Sequence, residues 1–312
     1  MNRLKTFFTV VLMFLFSAGI FAETIKVGVA WYNKSGMADN VCAGMAAELK
    51  ETAPEIELEF VRNLADAAEL DAVVKRFEEE KTAMVLMRSA SVEYLVKNPV
   101  KVPVFFGASN DPVSLGLIKD AAKPDGNATG VSYAISYETQ FNSFEKVLGK
   151  AKKVLLILEK EHPSVPLDLA GTQEACKSRG IKLSVAKITT ISEAIDAAKK
   201  EDGKVDYVIL GAQGLLIDNG AQVQEALNKT PCVSYTEKPV NKGVLCGLVA
   251  DDKKLGVELA KSMVEVLIKG KAISEVPVKF DTAPNLLINK TTQKRLGIVI
   301  PEEVEKIAKM IE

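Results

Sequence analysis

The chain has a single histidine, His162, in 312 residues, and only four cysteines. That is too few soft ligands for the usual zinc or iron clusters, and no cysteine pair has CxxC spacing, so no metal is expected. A surplus of charge of either sign is also missing. Forty Lys+Arg stand against 41 Asp+Glu, for a formal net charge of −1. Proteins dedicated to nucleic acid carry a basic excess, so no nucleic-acid partner is expected. Aromatic residues are only 6%, yet apolar residues reach 47%, which excludes a disordered chain. The common catalytic signatures are absent as well. No GxGxxG follows the first apolar run, where the chain reads WYNKSG, and there is neither a phosphate-binding GxxxxGK[ST] nor a GxSxG elbow. His162 is the one ordinary general base near pH 7 and sits in a charged, proline-flanked turn (EKEHPSVP). No catalytic residue, no cofactor and no enzyme activity are therefore expected.

Long charge-free runs are scarce too, with one exception. Arg3 and Lys5 precede the uncharged residues 6–21, and Ala22 then precedes Glu23. A positive start, an apolar run below the roughly 20 residues that span a bilayer, and a small residue at the exit read as a secretory signal cleaved after Ala22. A lipoprotein needs a cysteine just past the run, but the first is Cys42. The mature protein is expected to be exported, periplasmic and without a lipid anchor, with a net charge of −3 once Arg3 and Lys5 are removed. Cys232 and Cys246 lie on two short apolar runs that could be neighbouring strands, so a bridge between them is conceivable; buried thiols are the plainer reading.

What is present is an alternation. Short β-rich runs at 25–31, 56–61, 83–88 and 102–106 are separated by helical patterns at 37–51, 66–80 and 90–97. The pattern restarts at 153–158, 181–186, 205–210 and 232–235, with helices near 167–179, 191–200 and 218–228. Strands alternating with helices form βαβ units and a parallel sheet. The fold class is therefore α/β, with two doubly wound parallel-sheet lobes joined by hinge strands. Pro124, Gly126 and Gly130 punctuate the boundary between the halves. The expected organisation is a signal peptide over 1–22, a first lobe of 23–132 plus 250–278, and a second of 133–249 plus 279–312. A last helix is marked by Pro301, by Glu302 and Glu303 at its start, and by Lys306 and Lys309 at its end.

Open parallel sheets bind ligands beyond the carboxyl ends of their strands, so the residues there are the candidates. In the first half these are Trp31 and Tyr32, Arg62, Arg88 and Ser89, and Asn110 and Asp111. In the second they are His162, Gln213, Tyr235 and Glu237. Rings, polar groups and both signs of charge together suit a small polar or zwitterionic solute. Trp31 either stacks on a ligand or packs on the next helix. Arg62 or Arg88 either grips an anion or makes a surface ion pair. Ser89 either helps hold a carboxylate at the start of its helix or simply caps it. Asp111, followed by Pro112, either shapes a turn, which Asp before Pro favours, or contacts an ammonium. Glu237 could meet a ligand amine.

Three segments resemble one family. Residues 104–118 (VFFGASNDPVSLGLI), 123–132 (KPDGNATGVS) and 287–301 (LINKTTQKRLGIVIP) are similar, in order and spacing, to ABC-transporter substrate-binding proteins of the tryptophan/tyrosine-transporter type. The resemblance implies a type I periplasmic-binding-protein fold whose lobes close on a solute. It also implies an amino-acid-like, aromatic ligand, a membrane permease and an ATPase as partners, and a monomer. By position Ser89 matches the family's small hydroxyl residue, and Asp111 its Asp-Pro. The second-lobe segments EKEHPS (159–164) and Ala212-Gln213-Gly214 depart from the family's pattern. A ligand-sensing module of the same fold, serving a receptor, and an exported α/β enzyme are the alternatives.

Overall fold

The computed structural model describes residues 24–312, apart from the side chain of Tyr32. The expected signal peptide lies outside the described residues. The chain begins with β1 (Ile25–Tyr32), α1 (Gly36–Thr52), β2 (Ile56–Leu64), α2 (Ala67–Glu80), β3 (Ala83–Met87), α3 (Ser89–Lys97), β4 (Val104–Ser109) and β5 (Ala128–Ser132). It continues through α4 (Tyr137–Leu148), β6 (Lys153–Glu159), α5 (Val165–Arg179), β7 (Lys182–Ile188), α6 (Ile191–Glu201), β8 (Tyr207–Leu210), α7 (Gly214–Glu225), β9 (Cys232–Ser234), α8 (Glu237–Asn241) and β10 (Cys246–Val249). It ends with α9 (Asp252–Leu267), β11 (Lys279–Phe280), β12 (Asn285–Asn289), α10 (Lys290–Leu296), α11 (Glu302–Glu305) and β13 (Lys309–Ile311).

Two sheets result. The first has the order β11-β5-β4-β3-β1-β2 and is parallel throughout. The second has the order β13-β12-β10-β9-β8-β6-β7 and is parallel except where β10 meets β12. A strand covered by helices on both faces must be apolar on both. The sequence AMVLM of β3 meets that requirement and is buried along its length. Each sheet accordingly carries an apolar core on either face, two for the first and two for the second.

The chain passes between the sheets three times, at residues 133–136, 250–251 and 281–284. The second passage returns α9 to the first sheet, where it packs along α1. This contact depends on glycine. A Cβ on Gly256 would lie 2.1 Å from the Val41 carbonyl oxygen, so a larger residue would force the helices apart. The third passage departs from the expected organisation. Lys279 and Phe280 pair with Val131 and Ser132 of β5, which places this segment in the first sheet and not the second lobe.

One further expectation is corrected, and the plainer reading of the cysteines holds. The marked last helix lasts only one turn, Glu302–Glu305, and Lys309 opens a strand that pairs with β12. Joining the sheet edge satisfies backbone groups there, and that outweighs the favourable charge pattern. The four cysteines are all free and buried. Cys246 pairs with Val233, so Cys232 is one residue out of register and points to the opposite face. Cys232 and Cys246 accordingly belong to different cores and cannot bridge.

Candidate functional site

Strained backbone gathers on one edge of both sheets. Asn33, Asn63, Arg88, Ala108 and Glu161 have φ between 48° and 80°, a region that L residues rarely occupy. All five lie at or just past the carboxyl ends of β1, β2, β3, β4 and β6. Such strain concentrates where a fold holds a binding site. Beside Ala108 the register of β4 against β5 also shifts.

A cleft of about 610 Å3 opens between the two sheets at this edge. Asn110 and Asp111 line it from the first sheet, and Ala212 and Tyr235 from the second. The interlobe passages add Tyr133 and Asp281, β11 adds Phe280, and α4 adds Tyr137 and Gln140. Helix α5 contributes Asp168 and Gly171.

Asp168 is the main electrostatic feature of this wall. It is 1% exposed. One carboxyl oxygen accepts from the Tyr137 hydroxyl at 2.7 Å. The other accepts from the Ala212 N–H at 2.7 Å and from Gln213 Nε2 at 2.5 Å. Burial pushes its pKa up, and these three neutral donors only partly hold it down. Among the described residues no cation pairs with it. The wall thus presents a carboxyl group whose hydrogen bonds are made but whose charge has no counter-ion.

Aromatic rings surround it. Tyr137 and Tyr235 meet edge to face with centroids 5.2 Å apart. Tyr235 shares a 2.7 Å hydrogen bond with the Thr172 hydroxyl. The Tyr137 ring lies directly on α5, because a Cβ on Gly171 would fall 2.0 Å from a ring carbon. Burial raises the pKa of the Tyr133, Tyr137 and Tyr235 phenols, so each stays a neutral donor.

Of the residues singled out in the sequence, Asn110, Asp111 and Tyr235 line the cleft. Asp111 also closes its own turn, accepting from the Val113 N–H and the Ser114 hydroxyl. Ser89 and Gln213 stand one layer behind. The Ser89 hydroxyl accepts from the Asn110 N–H at 3.0 Å, and it is Arg88, not Ser89, that occupies the cap position of α3. Arg88 acts electrostatically on both Tyr133 and His162. Trp31, Arg62, His162 and Glu237 are not among the residues that line this cleft. Trp31 is fully buried beneath Arg62, whose guanidinium stands 5.6 Å from its ring centroid and 3.6 Å from Asp39. His162 Nδ1 accepts from the Ser164 N–H, and Glu237 accepts from Asn241. Tyr32 ends β1, and its side chain is outside the described residues. Asp168, Tyr137 and Gln140 were missed because they project from helices. Their one sequence signal is Asp168 in a first turn beside Pro166, which reads equally well as a response to the helix dipole.

Comparison with known proteins agrees with this architecture. A "Tyrosine-binding protein" of Clostridioides difficile (strain R20291) is 25% identical over 246 residues, which cover 78% of this chain and 71% of the relative. A Streptococcus pneumonia ABC domain solved in complex with L-Trp superposes with a TM-score of 0.81 at 22% identity, covering 93% of this chain and all of that one. A ligand-free, open substrate-binding protein with adhesive properties from Clostridium difficile gives 0.79 at 21% identity, over 92% of this chain and 99% of that one. The solved structures are similar in fold. Residues 26–311 match the family described as ABC transporter substrate binding protein, and the chain belongs to that family.

Proposed function

We propose that this protein is the exported, periplasmic solute-binding component of an ABC importer, and that it captures an aromatic amino acid in its interlobe cleft. The observation that carries this reading is the buried Asp168 carboxyl, without a counter-ion, set among Tyr133, Tyr137 and Tyr235. A solute ammonium supplies the missing charge, and the rings supply a wall for an apolar side chain. Asn110 faces this wall from the first sheet and offers the N–H groups of its side-chain amide to a carboxylate. The names of the relatives support the same ligand class: one is called tyrosine-binding, another holds L-Trp. The three passages between sheets support hinge closure, after which the monomer delivers its solute to a membrane permease driven by an ATPase. Residues 1–22 would direct export.

Calorimetric titration of residues 23–312 with L-tyrosine, L-tryptophan and L-phenylalanine tests the reading. At least one is expected to bind. Asp168→Asn keeps the shape but removes the charge, and should weaken binding by about tenfold to a hundredfold, since a hydrogen bond to a charged group contributes about 1.5–3 kcal/mol. Failure of all three to bind, or full affinity in the variant, would contradict it.

A further inference from the structure

We propose that Gln140 reads the ring hydroxyl of the solute, so that the cleft selects a phenolic amino acid over its unhydroxylated analogue. The inference rests on the aromatic amino-acid reading above and narrows it. Buried polar side-chain atoms in folded proteins nearly always have a partner. Of the described buried side-chain atoms that have none, only Gln140 Oε1 belongs to a residue lining the cleft. Gln140 is 3% exposed. Its backbone N–H is already used by the Ser136 carbonyl in the first turn of α4, so the side-chain amide is the spare group.

Its position is not that of a misplaced core residue. Gln140 follows Tyr137 by three residues, so both leave α4 on the face that lines the cleft. Phe141 and Phe144, one turn further along the same stripe, fill the core instead of lining the cleft. Leucine or methionine would serve a helix of this kind without leaving a polar atom unpaired.

The chemistry of the amide selects the partner. It carries one acceptor and a donor pair but no charge. The ammonium of the solute has Asp168, and its carboxylate has the side-chain amide of Asn110 on the facing lobe. What remains is a neutral group that both donates and accepts. With Tyr133, Tyr137 and Phe280 lining the same cleft, that group is carried on a ring, and a phenol fits. Rotation of the amide brings either end to the hydroxyl. A site built to bond a hydroxyl discriminates strongly against the analogue that lacks it, because its own buried polar group is then left unpaired.

The test is calorimetry with L-tyrosine and L-phenylalanine on residues 23–312, in the wild type and in Gln140→Leu. The wild type is expected to bind L-tyrosine at least tenfold more tightly. Gln140→Leu is expected to narrow that gap to about twofold, chiefly through weaker tyrosine binding. Should the leucine variant lose its circular-dichroism melt, Gln140→Met provides the same test with a side chain of similar length. Equal wild-type affinity for the two ligands, or a gap that persists in the variant, overturns the role of Gln140 and leaves the amino-acid reading intact. Binding of neither ligand by the wild type, while L-tryptophan binds, overturns the phenol preference. Binding of none of the three overturns the broader reading and this assignment with it.

Discussion

Asp252 shows how one buried carboxyl sets a pH dependence. It opens α9 beside the second interlobe passage, is 8% exposed, and accepts from Asn40 Nδ2 at 3.5 Å. Burial is the main cause that pushes its pKa up to about 7, with Glu237 and Asp251 acting the same way and Asn40 opposing them. In the unfolded chain an Asp ionises near 3.9. Between pH 4 and 7 the folded state therefore holds a proton that the unfolded state has lost. Stability must fall as pH rises through that window, and the full cost is present above it. The amino terminus of α9 favours negative charge and trims this cost. Asp252→Asn is expected to match the wild type near pH 4 and to exceed it by about 1–4 kcal/mol at pH 8. Denaturant melts across that range measure this, and a stability difference independent of pH would refute the assignment. The same residue scale shows what the sequence could and could not convey. Asn110, Asp111 and Tyr235 were legible because strand ends can be located from apolar runs. Asp168 and Gln140 were not, because nothing in a helical pattern distinguishes a polar residue facing water from one facing a cleft.

At the scale of elements, Asp281 joins two of the three passages between the sheets. It leaves β11 with its side chain fully buried, accepting from the Asp251 N–H at 2.8 Å, the Ala283 N–H at 3.0 Å and Lys254 Nζ at 2.6 Å. The segment after β11 is thus tied to the start of α9. Removing the carboxyl leaves a buried N–H unpaired, which costs about 1–3 kcal/mol. Asp281→Ala should lower stability by that amount. It should also speed amide hydrogen exchange in 250–254 and 281–284 together. Faster exchange in 281–284 alone would mean that the two passages are independent. Elements themselves were read well where periodicity is long, as in α1 and α2. They were read poorly where a few residues decide the outcome. The three-residue β13 was absorbed into an expected helix, since its only support is pairing with β12. The Cys232–Cys246 bridge was conceivable only because a one-residue offset in register cannot be seen in a sequence.

At the scale of the whole molecule, two parallel sheets, each with its own cores, meet across a cleft that three short passages hold together. The alternation of strands and helices made this doubling visible early. The return of α9 and β11 to the first sheet is what turns two halves into two lobes on a hinge. Each lobe carries part of the cleft wall, with Asn110 on one side and Asp168 on the other. Under the proposed function, a solute touching both would be bound fully only when they approach, which would link binding to closure. A ligand at a hundred times its dissociation constant stabilises the folded state by about 2.7 kcal/mol. For a chain of this size that corresponds to a rise in Tm of about 4–5 °C. If closure accompanies binding, small-angle scattering under the same conditions should show a smaller radius of gyration, and Asp168→Asn should diminish both effects in parallel. A rise in Tm without contraction would mean that the solute binds one lobe alone, and hinge closure would have to be abandoned while solute binding stands.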